Sequence, residues 1–111
     1  MSVIINGKNT TKMTLIQKEA KQLTFRYDTG ISTATFALVV TDSTGATVIS
    51  KTDTDFDKTA VATGYVYVTL DIDDLDLDVG FYNLQLKTTW NATTSVDKTI
   101  IITLEITESL F

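Results

Sequence analysis

Between an Asp-rich stretch and the longest alternating run of the chain stands Asp78-Val79-Gly80-Phe81-Tyr82-Asn83-Leu84. A turn here precedes a tyrosine that lies two places before an apolar strand position. That is the spacing of a tyrosine corner. The ring packs inward, and the hydroxyl bonds back to the main chain where the polypeptide crosses between two sheets. Gly80 allows a backbone conformation that other residues resist. The motif requires two sheets packed face to face, and it specifies no chemistry.

The rest of the chain supplies strands at the matching period. Met13 to Gln17 is a first strand after a polar loop. In Gln22 to Tyr27, Leu23, Phe25 and Tyr27 share one face, Thr24 and Arg26 the other, and Asp28-Thr29-Gly30 closes the strand. Thr33 to Thr41 directs Phe36, Leu38 and Val40 inward and Ala37 and Val39 outward. Asp42-Ser43-Thr44-Gly45 then turns it into a hairpin with Ala46 to Lys51. Residues 52–63 read as an irregular loop with room for a short strand. Gly64 to Leu70 sets Val66, Val68 and Leu70 against Tyr65, Tyr67 and Thr69. Asp71 to Gly80 reads as a crossing with one helical turn. Phe81 to Trp90 turns Tyr82, Leu84, Leu86 and Trp90 inward. Asn91 to Asp97 turns, and Lys98 to Thr107 returns with Ile100, Ile102, Leu104 and Ile106 inward. About seven strands with turns every 8–12 residues predict an antiparallel immunoglobulin-like β-sandwich. One domain spans 1–111, with a core over about 13–107 and short arms at both ends. Leu84 takes the place where a disulfide-linked sandwich carries its second Cys, Leu23 or Phe25 stands opposite, and Phe36 takes the place of the buried Trp.

Composition removes most chemistries. The 111 residues include no Cys and no His. This excludes disulfides, thiolate metal sites and the Ser-His-Asp and Cys-His arrangements. The five glycines are isolated and build no phosphate-cradling loop. A formal charge of −5 disfavours nucleic acid and anionic membrane as partners. No segment reaches the roughly 20 apolar residues of a membrane span, and the N-terminal sequence lacks the features of an export signal. Asn9-Thr10-Thr11 and Asn91-Ala92-Thr93 match the glycosylation sequon, read as chance in a Thr-rich chain. Asp71, Asp73, Asp74, Asp76 and Asp78 form one acidic cluster; Asp53, Asp55 and Asp57 form another. Their oxygens suit Ca²⁺, but neither has the spacing of an EF-hand loop, and both read as solvated loops. Paired carboxylates for glycoside hydrolysis need a sugar cleft that a small sandwich does not announce. The expectation is a chain without catalytic residues, metal or cofactor.

What remains is surface. Val39, Phe81 and Ile101, with Ala37, share the outward parity of three strands expected side by side, and Tyr65 and Tyr67 do the same on the other sheet. These are the candidate interface residues, because contiguous apolar patches mark interaction sites. In the rival reading Tyr65, Tyr67 and Trp90 form an aromatic platform for a carbohydrate or host receptor.

The runs Phe36 to Ile49 with its Asp42-x-x-Gly45 turn, Gly64 to Leu70, and Val79 to Leu86 have a further significance. Their layout resembles the immunoglobulin-like modules of tailed-bacteriophage virion proteins, and among these the N-terminal module of the phage baseplate upper protein family. The resemblance covers about residues 20–107. It implies a non-enzymatic structural component, either a capsid decoration or a tail or baseplate module. Its partners would be other virion proteins, in multiple copies, in a particle assembled in the host cytoplasm.

Overall fold

The computed structural model describes residues 3–5, 12–27, 30–90, 95–98 and 101–110. Among them the strands are β1 (Val3–Ile5), β2 (Lys12–Ile16), β3 (Lys21–Tyr27), β4 (Thr35–Thr41), β5 (Thr47–Lys51), β6 (Phe56–Asp57), β7 (Tyr65–Leu70), β8 (Gly80–Trp90), β9 (Ser95–Lys98) and β10 (Ile102–Thr107). They build two sheets. One has the order β1-β3-β7-β6, the other β2-β10-β8-β4-β5, with β9 beside β8. This is an immunoglobulin-like β-sandwich, and with no cysteine it has no disulfide.

The first and last strands are each divided. β1 runs antiparallel to β3 in one sheet, whereas β2 crosses to the other and runs parallel to β10. β9 and β10 pair with successive lengths of β8: Lys87 to Trp90 face Lys98 to Ser95, and Gly80 to Leu84 face Ile106 to Ile102. Residues 95–97, expected in a turn, are therefore strand. The eleven-residue length of β8 offers them a ladder that their own polar sequence does not announce. The short strand allowed for within 52–63 is β6, two residues paired to β7. Ile100, both sequons and the chain ends lie outside the described residues.

Inward positions follow the alternation. Leu23, Phe25 and Tyr27, Phe36, Leu38 and Val40, Val66, Val68 and Leu70, and Leu84, Leu86, Ile102, Leu104 and Ile106 are all buried. Phe36 packs between Tyr27 and Phe56, with ring centroids 6.0 and 5.6 Å away. Thr88 is the one buried polar side chain among the described residues, and its hydroxyl bonds that of Tyr27. Trp90 sets its ring edge-on to Tyr27 and donates its indole N–H to Asp97 at 2.6 Å.

Two local devices fix the chain's path. At the β4–β5 turn the Asp42 carboxylate accepts from the amides of Thr44 and Ala46 and from the Thr44 hydroxyl. Gly45 takes φ 87° and bonds back to the Asp42 carbonyl. That is a type I turn followed by a left-handed residue, which shifts the register between Val40 and Thr41. At the crossing Tyr82 donates its hydroxyl to the Asp78 carbonyl at 2.7 Å. The corner is thus present, although the Tyr82 ring is only half-buried. Between β7 and β8, Asp71 and Asp74 cap each other's amides, and the resulting turn drives Leu75 into the core. Lys51 at the free edge of β5 reaches this turn, 2.7 Å from Asp74, with both side chains largely covered.

Candidate interaction face

Alternation along β8 leaves Phe81, Asn83, Gln85, Lys87 and Thr89 on the outer face of the larger sheet, and register places the neighbours. Val39 stands beside Gln85, Thr41 and Thr103 beside Asn83, Glu105 beside Phe81, and Lys98 and Ala37 beside Lys87. Ile101, just before β10, stands on the other side of Gln85. Val39 and Ile101 are 38% and 60% exposed. They flank a dent of about 110 Å³ lined also by Thr41, Asn83, Leu84 and Gln85.

The expected trio is therefore a pair and a separate residue. Phe81 is 60% exposed and lies four residues along β8 from Gln85, about 13 Å at the rise of a strand. The polar row Thr41-Asn83-Thr103 intervenes. Lys12 stands over the Phe81 ring, 5.6 Å from its centroid, and pairs with Glu105 at 3.6 Å. The same face carries two exposed apolar residues that the sequence reading passed over. Val96 stands opposite Thr89 in β9. Ile16 stands opposite Thr107 at the end of β2. Their parity was open to inspection; their membership of this sheet depended on two pairings that no local pattern announces.

On the opposite outer face Tyr65 and Tyr67 stand beside Arg26 and Thr24 and are half-buried. The Arg26 guanidinium lies 6.0 Å from the Tyr65 ring centroid. Trp90 does not join them. It belongs to the other sheet and packs against the core, so the three aromatic residues form no platform.

Most carboxylates of the two acidic clusters are spent on the fold. Asp53 accepts from the Phe36 amide and the Lys58 ammonium, Asp55 from the Thr52 amide, and Asp57 from the amide and hydroxyl of Thr59. The Thr59 bonds, its amide foremost, hold the Asp57 carboxyl below its usual range, and the Thr44 hydroxyl does most to lower that of Asp42. Burial works to raise Asp74, but its bond to Lys51, the Asp71 amide and the Lys51 charge together leave it lowered. Among the described residues no three acidic side chains gather closely enough to hold a metal ion. A larger cleft, about 590 Å³, opens between the β4–β5 turn and the corner, lined by Asp42, Val48, Asp76, Asp78, Phe81 and Tyr82 among others. Burial, then the charges of Asp78 and Asp42, push the Tyr82 hydroxyl up.

Comparison of the chain with protein-family models and with curated proteins finds no match in either set.

Proposed function

We propose that the chain is a non-enzymatic structural module of a phage virion, held in its assembly by protein–protein contacts through the outer face of the β2-β10-β8-β4-β5 sheet. One observation carries the choice of face. Of the eight large apolar side chains exposed among the described residues, Ile16, Val39, Phe81, Val96 and Ile101 stand on it. Ile72 and Val79 belong to the crossing, and Leu110 follows β10. The outward positions of β3, β6 and β7 have none. Single exposed apolar residues are ordinary, but five gathered on one sheet face mark an interface. The virion setting is supported by the sequence layout of residues 20–107.

Val39→Lys and Ile101→Lys test the reading. In the free protein either lysine stands in water and costs little. In a contact it buries an unpaired charge, at about 3–5 kcal/mol. Both variants should melt like wild type yet be missing from purified particles, while Thr69→Lys on the opposite sheet should be incorporated. Incorporation of Val39→Lys at wild-type levels would overturn the face. Absence of the wild-type chain from purified particles would overturn the virion setting.

A further inference from the structure

We infer that the partner on this face is a second copy of the same chain, related by a two-fold axis that lies between the two faces, runs across the strands and passes close to Asn83. The inference rests on the docking reading above and names its occupant.

The face is complementary to itself. Phe81 is its most prominent knob, and the dent between Val39 and Ile101 is its recess. Both lie on the β8 line, on either side of Asn83. A two-fold axis across the strands at Asn83 keeps β8 over β8 and inverts the order along it. Phe81 of each copy then falls on the dent of the other, so one contact is made twice, as a closed dimer requires. A closed cavity of about 150 Å³ holds a benzene molecule; an open dent of about 110 Å³ suits a phenyl ring entering by its edge. On the axis Asn83 meets its own copy, and a carboxamide both donates and accepts. Glu105, beside the knob, is already paired to Lys12 and brings no unmatched charge.

Charge selects the same axis. Lys87 and Lys98 stand opposite each other at one end of the face, both exposed. Neither forms an ion pair among the described residues. Asp78 and Glu108, also exposed, lie just past the other end, before β8 and after β10. Inverting the order along β8 lays the basic end of each copy over the acidic end of the other. An axis along the strands would lay like over like. The 38 strand residues of this sheet, about 4.8 Å apart across and about 3.4 Å along, bound a face of roughly 600 Å², the lower end of what each partner contributes to a specific interface. A slight inclination of the axis gives the crossing of about −30° at which twisted sheets pack.

Sedimentation equilibrium of the purified chain at high micromolar concentration tests this. Wild type should be a dimer, and Phe81→Ser should raise the dissociation constant about 30-fold or more, as loss of a central aromatic anchor does. A charge exchange tests the axis itself. Lys87→Glu/Lys98→Glu and Asp78→Lys/Glu108→Lys should each be monomeric alone, with unchanged thermal melts, and should form a heterodimer when mixed. A monomeric wild type, a dimer indifferent to Phe81→Ser, or a mixture that stays monomeric would each overturn the inference. If wild type is monomeric and Val39→Lys is still excluded from particles, the second copy is ruled out while the docking face stands.

Discussion

Tyr82 and Tyr27 show how differently one hydroxyl can matter. Tyr82 donates to the Asp78 carbonyl at a half-exposed corner, where water can replace it. Tyr82→Phe should therefore cost about 1 kcal/mol, the net worth of one such bond, read as a lower denaturation midpoint with unchanged slope. An unchanged midpoint would mean that the corner contributes nothing. Tyr27 is 3% exposed, and its hydroxyl bonds Thr88 deep in the core. Burial pushes it up from 10.0 to about 12, outweighing the opposing effect of the Thr88 bond. The unfolded chain then releases this proton first as pH rises. Stability from Tyr27 is complete below pH 10 and drains away between 10 and 12, at about 1.4 kcal/mol per pH unit. Measured against Tyr27→Phe, which lacks the titrating group, wild type should lose about 2–3 kcal/mol more over that interval. Parallel stability profiles would show that the hydroxyl does not titrate differently in the two states.

At the scale of the element, the β4–β5 hairpin was legible because everything it needs is local. Asp42 supplies the acceptor, and Gly45 the left-handed conformation three residues later. Nothing lies within 4 Å of the position a β-carbon would take at Gly45. Gly45→Ala therefore tests conformation without a clash, and should cost about 1–2 kcal/mol through the left-handed backbone alone. A melt indistinguishable from wild type would show that the turn relaxes to another form. The alternating cores of β3, β4, β7 and β8 were legible for a similar reason, since a period of two needs no knowledge of neighbours. β9 was not. Ser95-Val96-Asp97-Lys98 has one apolar residue, and its pairing exists because β8 extends to Trp90. The interface residues divide along the same line. The outward parity of Val39, Phe81 and Ile101 was readable. Register, which joins Val39 to Ile101 across Gln85 and leaves Phe81 apart, was not, because it depends on how three distant segments align. Lys51 and Asp74 are 23 positions apart, and no motif marks their pairing.

At the scale of the whole molecule, the acidic loops find their partners within the chain. Each described acidic loop has its own amide or ammonium partners, so millimolar Ca²⁺ or EDTA should leave the melting temperature where it was. A ligand held only by the folded state must raise it, and a rise of several degrees with Ca²⁺ would make 71–78 a metal site. The division of the first strand has another consequence. β2 runs parallel to β10 over five registered pairs, Lys12 with Thr103 through Ile16 with Thr107. The chain therefore enters β2 at one end of this ladder and leaves β10 at the other. Tension applied through the two ends acts along the strands, loading the ladder in shear. Its bonds must fail together, whereas an antiparallel pair pulled from one end opens bond by bond like a zip. In the virion setting proposed above, such a module would serve as a mechanical link. Single-molecule stretching from the two ends should meet a high, abrupt rupture force, and stretching from anchors at Thr44 and Ala62 a lower one.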